Sequence, residues 1–200
     1  MDATTGIIIF IFVISIIGGI GNNKGYKAPP AAPAFPSGAV YSSVSVAEPQ
    51  SNFAAGGINA QASIQNHVAK YRPPSEAAQI TDSIMRHCMT YDMNPKLVAA
   101  LITRESKFNP RAVSSSGAVG LGQLLPSTAK GLNIDDPFDI DQNAKGTIRY
   151  FKSLIDRFNG KVSNAIAGYL EGPNAVSRQG GYSEHTKTYV EDILNVYQKI

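Results

Sequence analysis

Cysteine is almost missing from this 200-residue chain: Cys88 stands alone, so no intrachain disulfide can form. Charge is thin as well, at 16% of residues with a net +3. Lys and Arg are scattered, with no basic block and no aromatic–basic interleaving. That argues against a nucleic-acid partner and leaves a wall polymer or an anionic surface. His67, His87 and His185 lack ligand spacing. Cys88 falls in line with Ile80 and Ile84 at helical spacing and reads as a core residue, even beside His87. Asp139-x-Asp141-x-Asn143 opens like a calcium loop, but Ala144 stands where glycine is required and Tyr150 where the closing glutamate belongs. Asp141 as a helix cap is explanation enough. No metal and no cofactor are expected. Strand-like alternation is nearly absent too, apart from short pairing near Val113–Val119.

Charge is also absent from one long window, between Asp2 and Lys24, and within it Gly6 to Ile20 is an almost continuous run of Ile, Phe and Val. The run lacks the polar stripe of a soluble core helix and is close to the length of a bilayer span. A cleaved signal peptide should begin with positive charge, and this segment begins with Met1-Asp2. Residues 1–23 are therefore expected to form an uncleaved transmembrane anchor, with residues 6–20 in the membrane; Gly18, Gly19 and Gly21 keep cleavage open. Lys24 and Lys27 weigh toward a cytoplasmic position for the rest of the chain, a weak vote that opposes a periplasmic substrate. Next comes a stretch rich in Pro, Ala, Gly and Ser, including Ala28-Pro29-Pro30-Ala31-Ala32-Pro33-Ala34-Phe35-Pro36, which reads as an extended spacer. Residues 24–73 are expected to be a flexible linker; Ile64, Val68 and Tyr71 recur at helical spacing and suggest a short helix before Pro73-Pro74.

Residues 74–200 carry helical patterning and are expected to be one mainly α domain. Ser75 is a candidate cap for a helix with Ala77, Ile80, Ile84, Cys88 and Tyr91 on one face. Asn94-Pro95 opens the next, which runs to about Ser106. Further helices are expected over Leu121–Lys130, from Asp141, around Val162–Leu170 and Pro173–Ser177, and through Tyr189, Val190 and Ile193. On the second helix Val98, Leu101 and Glu105 fall at i, i+3 and i+7, so Glu105 continues the apolar stripe and faces inward at the negative end of the helix. Burial and the dipole both raise a carboxyl pKa, which suits a general acid near neutral pH. The bland alternative is a glutamate bent to solvent at a helix end.

The surrounding residues favour chemistry. Glu105-Ser106-Lys107-Phe108-Asn109-Pro110 resembles the catalytic Glu-Ser motif of the lytic transglycosylases of the soluble-transglycosylase (SLT) type. Ala112 to Gln123, with Gly120-Leu121-Gly122-Gln123, resembles that family's next motif, and Pro126, Thr128 and Ala129 continue it. Asp136-Pro137-Phe138-Asp139, Gln142-Asn143, Gly168-Tyr169, Gly172-Pro173, Ala175-Val176 and Tyr189-Val190 follow in the family's order. The likeness covers about Ile80 to Tyr197. Several motifs in order are far more specific than any one alone. It implies a lysozyme-like fold and one catalytic acid, Glu105. That acid would protonate the oxygen between N-acetylmuramic acid (MurNAc) and N-acetylglucosamine (GlcNAc). As a base it would then help the muramoyl 6-hydroxyl close a 1,6-anhydro ring, with the substrate's N-acetyl group in place of an enzyme nucleophile.

The resemblance also implies substrate-binding roles for Ser106, Gly120, Gln123 and Tyr169. Ser106 either holds Glu105 or is a polar helix end. Gln123 matches a sugar-contacting glutamine, and Tyr169 a tyrosine whose hydroxyl lies near the acid. Gly117, Gly120 and Gly122 suit turns and close approach of a glycan. Phe108 reads as local packing and His185 as a surface residue. Leu170 stands where the family has Asn, Gly122 where Met is common, and His185-Thr186-Lys187-Thr188 where Glu-Thr-Arg often precedes the last Tyr. The expected activity is thus a peptidoglycan lytic transglycosylase. A hydrolytic lysozyme of the same fold, as in the goose-type lysozymes, and a non-catalytic wall-binding component of a virion or secretion machine remain as alternatives. The expected partners are glycan strands, the membrane, and virion or secretion-machine proteins. The expected location is a virion membrane or a bacterial inner membrane, with the domain acting in the periplasm. The acidic N-terminus tilts this reading toward a phage membrane protein.

Overall fold

The computed structural model describes residues 53–200, with side chains from Asn59 onward. The anchor expected over 1–23 and the Pro/Ala-rich part of the linker lie outside the described residues. Among the described residues eight helices follow one another: α1 (Phe53–Val68), α2 (Pro74–Tyr91), α3 (Pro95–Ser106), α4 (Pro126–Gly131), α5 (Ile140–Arg157), α6 (Val162–Glu171), α7 (Pro173–Gln179) and α8 (Glu184–Lys199). Among the described residues there is no named strand. Pairing is limited to two isolated antiparallel bridges, Val113 with Val119 and Val119 with Leu124. No described helix is long and apolar enough to cross a membrane.

The centre of the fold is α3. Every residue from Leu97 to Thr103 is buried, because α1, α2 and α8 all pack against it. A helix buried on every side must be apolar all round, and Leu97-Val98-Ala99-Ala100-Leu101-Ile102 is. Its start is fixed by sequence: the Asn94 side chain accepts from the N–H groups of Lys96 and Leu97, and Pro95 supplies the first-turn φ. Ile80 and Ile84 of α2, Ile148 and Phe151 of α5, Ile166 of α6 and Ile193 of α8 complete the core. A smaller cluster of Leu124, Ala129, Leu132 and Ile134 sits against Tyr150.

Four expectations shift. Helix α1 falls inside the span assigned to the linker, and its Ile64 and Val68 are fully buried in the main core. The folded unit therefore begins upstream of residue 74. Ser75 does not cap α2, which starts at Pro74 with no side-chain cap. Asp139, not Asp141, caps α5 by accepting from Gln142 N–H at 2.8 Å. Asp141 instead accepts from Ser83, Arg86 and His87 of α2, which hold its carboxyl near 2 against the cost of burial. Finally, α4 begins at Pro126, so Leu121 to Leu124 are loop.

Candidate active site

Glu105 lies in the last turn of α3, half-buried, with its carboxylate accepting from the Tyr189 hydroxyl of α8. Burial pushes its pKa up to about 7, against the opposing pull of that hydrogen bond and of the Arg104 guanidinium. Arg104 sits 5.3 Å from the centre of the Tyr189 ring and reaches Asp192 at 3.3 Å, so it also fixes the ring that faces the acid. Tyr169 comes from α6. Burial and the charge on Glu105 both hold its phenol well above the ordinary range, so it remains a neutral donor. Its ring meets Phe151 edge-on and tilts against Tyr150.

The loop from Ala112 to Leu124 forms the other wall, and nearly every polar group the sequence assigns to sugar contact is also a brace for it. Tyr169 donates to Gly122 O at 2.7 Å. Ser106 donates to Leu121 O at 2.7 Å, so its hydroxyl ties the end of α3 to the loop and its proton does not go to Glu105. The Gln123 amide donates to Ala112 O and Gly120 O. Asn143, 1% exposed, does most of the holding: it donates to Val119 O and Pro137 O and accepts from Gly122 N–H and Thr147. Glycine is required where the loop passes these groups. A Cβ on Gly120 would lie 2.2 Å from Asn143 Nδ2, and one on Gly122 would lie 1.9 Å from Thr147 Oγ1. Thr147 thus accounts for glycine at position 122.

Six non-glycine residues have positive φ among those described: Asp92, Lys107, Phe108, Gln123, Asn133 and Asn159. Asp and Asn tolerate this region; the other three do not, at about 1–2 kcal/mol each. Those three are the two residues that follow Ser106 and the loop glutamine. The backbone strain is therefore concentrated around Glu105.

Helix α8 is aimed from its N-terminus. Ser183 caps it, and the Glu171 carboxylate accepts from Ser183 Oγ at 2.7 Å and from the buried Thr186 hydroxyl. Glu171 directly follows Leu170, and it secures the helix that carries Tyr189. His185 is exposed on the same turn.

Glu105, Ser106, Gly120, Gln123 and Tyr169 are thus brought together. The sequence places Tyr189 on a buried stripe and in the family's order of motifs but assigns no role to it, nor to Asn143, Arg104 or Glu171. The order of motifs contained Asn143 and Tyr189, and that was the available signal.

Residues 82–191 match the family described as the transglycosylase SLT domain. A transglycosylase of Enterobacteria phage PRD1 is 36% identical over 120 residues, covering 60% of this chain and 43% of the phage protein. Membrane-bound lytic murein transglycosylase F of Alteromonas mediterranea is 33% identical over 102 residues, covering 45% of this chain and 22% of that protein. The chain thus spans less than half the length of these curated relatives. Among solved structures, the 70 kDa soluble lytic transglycosylase of Escherichia coli superposes with a TM-score of 0.52 at 22% identity, over 72% of this chain and 28% of that one. That likeness establishes the shared lysozyme-like fold.

Proposed function

Because this chain belongs to the transglycosylase SLT domain family, we propose that it is a peptidoglycan lytic transglycosylase whose one catalytic acid–base is Glu105. The observation that carries this reading is a carboxyl at about pKa 7 beside two tyrosines and an arginine. In the protonated state Glu105 donates to the glycosidic oxygen as the bond from MurNAc C1 to that oxygen breaks. The substrate's acetamido oxygen bonds to C1 meanwhile. Glu105, now a carboxylate, takes the proton of the muramoyl 6-hydroxyl while that oxygen displaces the acetamido group. The acid is restored and no water is consumed. A pKa near 7 suits both halves, since the group must give a proton and then take one.

Tyr189 and Arg104 stabilise the carboxylate between the two halves. Gly120 lets the loop lie close against Asn143 and Pro137, and Ser106, Gln123 and Tyr169 present the loop to the sugar from side chains that also hold it. Digestion of purified peptidoglycan by the full chain, read by mass spectrometry, tests the reaction: anhydromuramoyl ends are expected, and reducing muramoyl ends in their place would make it a hydrolase. A Glu105→Gln variant that clears a peptidoglycan gel as well as wild type would remove Glu105 from the mechanism and leave a wall-binding role.

The apolar run over 6–20 and the spacer after it suit local wall opening from a membrane, in a virion or a secretion machine. The names of the phage and membrane-bound relatives support that setting. Protease accessibility of the domain in intact spheroplasts and in virions tests it; a domain exposed to the periplasm of uninfected cells would count against the virion setting.

A further inference from the structure

Helix α1 and the turn after it, residues 53–73, precede the family match, which begins at residue 82. They meet α3 around Glu105. His67 of α1 lies 3.0 Å from the Thr103 hydroxyl, two residues before the acid. Thr103 spends its own proton on Ala99 O at 2.7 Å, so His67 must be the donor through Nε2. Two residues after the acid, the Arg72 guanidinium donates through Nε and Nη2 to Lys107 O, at 3.3 and 3.4 Å. Between these contacts Phe108 is fully buried, 5.9 Å from the rings of both His67 and Tyr71, which also meet each other edge-on.

Lys107 and Phe108 are two consecutive non-glycine residues in the left-handed region. Such a pair persists only where its surroundings over-determine it. Here those surroundings come from α1 and its turn: Arg72 holds the carbonyl of the first, and His67 and Tyr71 enclose the side chain of the second. On the reading of Glu105 given above, we infer that His67, Tyr71 and Arg72 are positioning residues for the catalytic acid, acting through the turn that ends its helix. Arg72 is the point to test. It is only partly buried and bonds a backbone carbonyl at the surface, so its loss leaves the core intact.

The experiment uses the full chain with Arg72→Ala and Arg72→Lys, each followed for thermal melting, for kcat and KM on peptidoglycan fragments, and for the Glu105 carboxyl titration by carbon NMR. Arg72→Ala is expected to lower kcat about tenfold with KM changed by less than about twofold, as for a reacting group displaced by a fraction of an ångström. The Glu105 midpoint is expected to move down, as water reaches a carboxyl that Tyr189, Tyr169 and Arg104 otherwise enclose. Arg72→Lys keeps a donor for Lys107 O and is expected to recover most of both. Unchanged kcat in the folded alanine variant, or an unmoved Glu105 midpoint, would overturn the inference and leave α1 as packing alone. If wild type cuts no peptidoglycan, the proposed activity fails, and the titration still decides whether α1 positions Glu105.

Discussion

Replacing Glu105 with glutamine separates two consequences of one burial. Without an acid the cleavage rate is expected to fall by about 10²–10⁴-fold. Stability should move the other way. The folded carboxyl titrates near 7 and the ordinary value is 4.5. Below 4.5 both folded and unfolded chains hold the proton. Between 4.5 and 7 the folded chain keeps a proton that the unfolded chain has released, so stability falls as pH rises, by up to about 3 kcal/mol in total. Glutamine has no proton to lose. Urea unfolding at pH 4 and pH 8 should show the glutamine variant gaining on wild type at the higher pH. Tyr189→Phe addresses the same carboxyl with a definite sign. The tyrosine hydroxyl stabilises the carboxylate, so its removal should raise the Glu105 pKa and shift the alkaline limb of kcat/KM to higher pH.

At the scale of elements, the loop and α8 depend on two side chains far from them in sequence. Asn143→Ala removes four hydrogen bonds at a buried site and leaves Gly122 N–H and Pro137 O without their partner, while Val119 O keeps the Leu124 N–H. A loss of about 2–4 kcal/mol is expected in urea unfolding. Glu171→Ala should cost less, because the carboxylate is only partly buried, but it should lower kcat by loosening the helix that carries Tyr189. The helices themselves were legible: Asn94-Pro95 announces α3, and the stripe Ala77, Ile80, Ile84, Cys88 is the buried face of α2. Caps were less so. Asp139 and Asp141 are equally good cap residues in sequence, and the choice fell to Ser83 and His87, more than fifty residues upstream, which draw Asp141 away. The site followed the same rule. Glu105 was legible because its position on a stripe is local. Tyr189 sat on an apolar stripe that does not say which helix it faces. Ser106 and Gln123 were found, but periodicity could not show that their polar atoms also hold the loop.

For the whole molecule, the boundary of the folded unit matters most. Ile64 and Val68 bury their side chains completely in the main core, at about 1.5–3 kcal/mol each. A fragment beginning at residue 74 is expected to lose most of a typical domain's stability, which comparison of 53–200 with 74–200 by urea unfolding would register. The hydrogen bond between Tyr189 and Glu105 has a consequence of a different kind, in the order of events. It joins residues 84 positions apart, and α3 reaches its active surroundings only when α8 docks on it. Contacts of such sequence separation form late, because the loop between them must close first. During synthesis the chain therefore carries its acid long before it carries the group that tempers it. A site built this way is complete only when α8 has been made and docked.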